Sequence, residues 1–100
     1  MEIKTRTFKV PFQKVYDASV EALRKSGFQI KDKSTNKLKA SSGWDFRSWG
    51  ENIEVTLEDT PRGVEVRVTS TPIAQLFDWG RSEENISKFF TNLERCLSNR

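Results

Sequence analysis

Apolar positions recur along this chain with two different periods. Ile53, Val55 and Leu57 alternate with Glu54, Thr56 and Glu58, and Val64, Val66 and Val68 alternate with Glu65, Arg67 and Thr69. A period of two marks strands with one buried face. Phe28, Ile30 and Asp32 alternate with Gln29, Lys31 and Lys33, and Leu38, Ala40 and Ser42 alternate with Lys37, Lys39 and Ser41. These four runs are separated by Ser34–Asn36, Gly43–Gly50 and Asp59–Gly63, segments rich in turn-forming residues. In Pro11–Lys25, Phe12, Val15, Tyr16, Val20, Ala22 and Leu23 recur mostly at three and four, which predicts an amphipathic helix. Pro11 suits its first turn and Ser26–Gly27 its end. Ile86, Phe89, Phe90, Leu93 and Leu97 predict a second helix, with Ser82 as N-cap and Glu83 and Glu84 opposing the positive end of its dipole. Glu2–Val10 reads as a strand of ambiguous register, because Phe8 and Val10 share a face with Lys4 and Arg6 while Ile3 lies opposite.

The order is therefore β-α-β-β-β-β-α. Four consecutive strands with short connections form an antiparallel meander, and the first strand pairs most simply with the last. The expected architecture is an α+β two-layer sandwich: a five-stranded antiparallel sheet, order 1-5-4-3-2, with both helices on one face. Thr5, Thr7, Lys9, Glu54, Thr56, Glu58, Glu65, Arg67 and Thr69 then point to water, joined by Lys31, Lys33, Lys37 and Lys39 from the edge hairpin.

Composition narrows the chemistry. The 100 residues suit one domain, 1–100, and 35% hydrophobic with 31% charged residues is a globular mixture. No apolar run approaches the ~18–20 residues of a membrane span. The absence of histidine removes the commonest neutral-pH base and metal ligand. The single cysteine, Cys96, permits no internal disulfide and suits a reducing, cytoplasmic setting. Cys96 lies beside the second helix's apolar stripe and is expected to be buried and inert. We therefore expect no enzyme, no cofactor and no metal.

Candidate chemistry concentrates at one end. Strand parity brings the Gly43–Gly50 connection and the Thr71–Gly80 connection to the same end of the sheet. Five of the eleven aromatic residues (Trp44, Phe46, Trp49, Phe77, Trp79) lie in these segments, including all three tryptophans. The rings offer apolar walls, and Arg47, Arg81 and the free N–H groups of the last helix offer a grip on a polar head. A covering role, in which the indoles close a small core, competes with that reading. Asp45, Glu51 and Asp78 fall at this end too and read most simply as surface partners of Arg47 and Arg81.

Phe8-x-Val10-Pro11 leading to Val15-Tyr16-x-Ala18, then Ala22-Leu23, Gly27-Phe28-x-Ile30, Ser48-Trp49-Gly50-Glu51 and Asp78-Trp79-Gly80 resembles a family of small uncharacterised bacterial domains. The β-α-β4-α order is similar to the TBP-like/helix-grip class, which includes half of a TATA-binding protein and ligand-binding helix-grip domains. Many members of the bacterial family carry a short C-terminal oligomerisation module, absent from these 100 residues. The resemblance implies a fold and no particular activity.

Charge supplies the alternatives. Residues 1–50 carry eleven Lys/Arg against five Asp/Glu, and residues 51–100 carry six against nine. Lys31, Lys33, Lys37 and Lys39 would serve for nonspecific phosphate contacts, but the open face offers no aromatic platform for stacking bases. The reading reached is a binding domain for a small apolar or amphiphilic ligand, or for a partner protein, through the Trp-rich end. The rivals are a structural or homo-oligomerising module using the second strand's edge or the lysine hairpin, and a nonspecific nucleic-acid binder.

Overall fold

The computed structural model describes residues 2–42, 51–72 and 81–98, with residues 72, 81 and 82 given by their backbone alone. The elements follow as β1 (Glu2–Phe8), α1 (Phe12–Lys25), β2 (Phe28–Lys33), β3 (Lys37–Ser42), β4 (Glu51–Thr60), β5 (Gly63–Pro72) and α2 (Arg81–Ser98). The strands form one antiparallel sheet in the order β1-β5-β4-β3-β2. This is the α+β arrangement that the periodicity predicts.

The inner face of the sheet carries the period-two residues. Leu38, Ala40, Ile53, Val55, Leu57, Val64, Val66 and Val68 are buried with Val15, Ala18, Ala22 and Leu23 of α1 and Ile86, Phe89, Phe90 and Leu93 of α2. α1 begins after Pro11, whose carbonyl accepts the N–H bonds of Lys14 and Val15. It stops where Gly27 takes φ +89°, a left-handed conformation that a Cβ disfavours. Helix α2 starts at Arg81, so Ser82, expected as its N-cap, is already within it. Neither helix is long and apolar enough to cross a membrane.

Three details differ from the alternation-based reading. β4 and β5 extend to Glu51 and Pro72, so Thr71, expected in a loop, pairs with Asn52. β1 ends at Phe8, opposite Val64, so Lys9, expected on the strand's outward face, lies beyond it. In β2 the register shifts between Ile30 and Asp32, a bulge at Lys31. Asp32 consequently sits opposite Lys39 on the open face, and Lys33 opposite Leu38 on the helix side.

The ambiguous first strand resolves by a cation at the rim. Lys4 and Arg6 lie opposite Val68 and Val66, on the helix side, and Ile3 lies opposite Thr69 on the open face. The Arg6 guanidinium stands 4.9 Å from the centre of the Phe90 ring and pairs with Glu94 of α2. A long polar side chain thus covers the flank of the core where a single strand is too narrow to do so.

Candidate functional site

Strands β3, β4 and β5 are neighbours, and parity sets the end of β3, the start of β4 and the end of β5 side by side. Glu51 lies opposite Pro72, and its N–H donates to Ser42 Oγ at 2.9 Å. The end of β3 and the start of β4 are thus joined by one hydrogen bond, beside the end of β5. Helix α2 runs away from this end. Lys88 stands 5.9 Å from the Phe28 ring, Asn92 Nδ2 donates to Ser26 Oγ at 2.8 Å, Glu94 meets Arg6 at mid-strand, and Leu97 lies beside Lys14 and Asp17 of α1.

A buried polar pair marks the same end. Glu51 is 3% exposed and Ser70 is fully buried, and the Ser70 hydroxyl donates to Glu51 Oε1 at 2.9 Å. Burying a carboxylate is costly unless charge-assisted hydrogen bonds replace its hydration, and the Ser70 bond is one of these. The expectation that Glu51 lies at the surface is therefore corrected: it lies on the inner face. Its phase held the signal, since Glu51 falls two residues before Ile53 and so continues the inward series Ile53, Val55, Leu57. Ser70 likewise continues Val64, Val66 and Val68. Asn85, in the second turn of α2, is buried as well.

Of the aromatic-end residues, Trp44, Phe46, Arg47, Trp49, Phe77 and Trp79 lie outside the described residues, and Arg81 is the residue that opens α2. The strand ends that flank these segments do meet, as parity requires.

The four hairpin lysines do not form one patch. Lys31, Lys37 and Lys39 lie on the open face, whereas Lys33 is turned by the bulge to the helix side, beside Gln13, Tyr16, Ser34 and Thr35. Lys33 is exposed, as expected, but on the helix side of the sheet and not on the open face with the other three. Lys39 Nζ is 4.0 Å from Glu54 Oε2, and Lys31 Nζ donates to Gln29 Oε1 at 3.3 Å. Arg67 pairs with Glu65 at 3.7 Å on the same face. The cations of this face are interleaved with acids that the central strands supply.

Two further residues follow their patterns with one adjustment. The Tyr16 ring packs against the core, and its hydroxyl donates to the Ser34 carbonyl at 2.7 Å, tying α1 to the β2–β3 turn. Cys96, expected to be buried, is only partly so; it contributes to a shallow groove between the helices with Lys14, Asp17, Glu21 and Lys25. Among the described residues no three His, Cys, Asp or Glu side chains are grouped to hold a metal ion.

No protein-family model and no curated protein matches the sequence. Solved structures do resemble it. A protein from Mesorhizobium loti, determined by X-ray crystallography as a structural-genomics target, superposes with a TM-score of 0.69 at 14% identity, over 97% of this chain and 96% of its own. A structural-genomics protein from Chromobacterium violaceum superposes with a TM-score of 0.60 at 10% identity, over 94% of each chain. Likeness at such identities is likeness of fold: this chain shares a compact α+β architecture with bacterial proteins of its own length.

Proposed function

We propose that this chain is a cytoplasmic, non-enzymatic binding domain of the helix-grip kind. Its contact surface is the Trp-rich end, and its ligand is a small apolar or amphiphilic molecule. The observation that supports the reading is the convergence of Ser42, Glu51 and Pro72 on adjacent strand ends. The two connections that contain all three tryptophans start from that one rim, with the buried Glu51–Ser70 pair behind it. Apolar walls with a few fixed polar groups are the general composition of small-molecule sites. The absence of histidine from the whole chain favours binding over acid–base catalysis.

The test is intrinsic tryptophan fluorescence during titration with a long-chain fatty acid and, separately, a neutral hydrophobic dye. A saturable shift is expected, lost in Trp49→Ala while the thermal unfolding transition stays in place. The opposite pattern is no titration in the native protein and destabilisation of Trp49→Ala by about 3–5 kcal/mol, as for a large core residue. It would assign the indoles to closing the core and reject the ligand site.

A further inference from the structure

The two edges of the sheet differ in their openness to further pairing. β2 is bulged at Lys31, a device that discourages addition of another strand. β1 has neither a bulge nor a proline, and all seven of its residues pair with β5 in unbroken register. Its outer rim therefore presents a regular row of backbone N–H and C=O groups. On that strand sits Ile3, 53% exposed, the large hydrophobic residue that stands out in water among those described. Glu2 and Lys4 flank it with opposite charges on the opposite face.

We propose that β1 pairs antiparallel with β1 of a second copy about a two-fold axis at Ile3, joining the two sheets into one. A two-fold contact must be self-complementary, and this strand is so in one register. With the axis at Ile3, each Ile3 meets its own counterpart, and each Glu2 faces Lys4 of the other copy. Moving the axis to Lys4 sets lysine against lysine and gains Glu2 opposite Arg6 only by drawing Arg6 from Glu94; moving it to Thr5 sets Lys4 against Arg6 twice. Like charges directly opposite destabilise a strand pair. Arg6 is also already committed to Glu94 and the Phe90 ring. A contact made through one edge strand buries little area, so the dimer is weak and concentration-dependent.

Sedimentation of the full chain from the micromolar to the millimolar range tests this. The mass is expected to rise from 11.6 kDa toward twice that value. Ile3→Lys is expected to remain monomeric throughout with an unchanged thermal transition, because its side chain is mostly in water. Glu2→Lys alone should weaken self-association, and Glu2→Lys/Lys4→Glu should restore it. In a Cys96→Ser background, Ile3→Cys should oxidise to a linked dimer, since directly opposed antiparallel residues have Cα atoms about 4.5–5.5 Å apart, within disulfide reach. A mass that stays at 11.6 kDa, an Ile3→Lys variant that associates like the native chain, or an Ile3→Cys variant that associates without cross-linking would each overturn the proposal.

Discussion

Ser19 is fully buried on α1, and its hydroxyl has no hydrogen-bond partner among the described residues. Its position follows from the helical stripe, four residues after Val15 and three before Ala22, so its burial was legible in the sequence. The missing partner was not, because periodicity locates a side chain and says nothing of what meets its polar atom. Ser42, Ser70 and Ser26 show the alternative: each lies at the sheet or helix boundary, where a backbone or side-chain group is at hand. Ser19→Ala removes an unsatisfied group, creates almost no cavity and raises helix propensity. It should stabilise the fold by about 1 kcal/mol, read as a higher urea midpoint at unchanged slope. A lower midpoint would mean that the hydroxyl does find a partner in solution. Glu51 makes the complementary point. Its phase places it on the inner face, while its charge alone suggests the surface, and phase prevails because Ser70 supplies a buried hydrogen bond.

At the scale of elements, the turn from β4 to β5 fixes how β1 docks. Thr60 Oγ1 donates to the Gly63 carbonyl at 2.7 Å and accepts the Arg62 N–H at 3.2 Å, closing a tight reversal. Gly63 adopts φ +137°, and a Cβ there would stand 2.6 Å from the Phe8 carbonyl oxygen. Gly63→Ala meets both a disfavoured backbone conformation and a backbone clash that no side-chain rotation relieves. It should destabilise by more than about 1 kcal/mol, with the loss seen as faster amide exchange at the Phe8 end of β1. Unchanged exchange there would show that the turn and β1 are uncoupled. The turn itself could be read from Asp59–Gly63, and so could the sheet order, because each of the central strands has an apolar face that admits one register. The bulge in β2 could not. Lys31, Asp32 and Lys33 are all polar, so shifting the register there moves no hydrophobic residue into water, and the pattern is indifferent between the two pairings. The aromatic end lies between these cases: parity identifies which strand ends meet, while the intervening segments have no period from which to build.

For the whole molecule, the question is whether a basic first half makes a basic surface. It does not, because the fold places the hairpin lysines beside acids of the second half. On the open face Lys31, Lys37, Lys39 and Arg67 share the sheet with Asp32, Glu54, Glu58 and Glu65. Arg6 meets Glu94, and Lys14 and Lys25 flank Asp17 and Glu21 in the groove between the helices. A charge asymmetry along the chain thereby becomes, among the described residues of the open face and the helix groove, a mixture in space. Polyanion binding scales with the number of phosphates neutralised at once, with a logarithmic salt slope of about −0.7 per contact on single strands. A dedicated binder making six to ten contacts would show a slope of roughly −4 to −7. This domain should give a slope no steeper than about −2, as expected for at most three contacts. Binding to a single-stranded oligonucleotide should disappear at physiological salt. Fluorescence anisotropy across a salt series measures the slope directly. A steep slope that Lys37→Glu/Lys39→Glu flattens would show that the hairpin lysines act together despite their acidic neighbours. It would return nucleic acid to the open face.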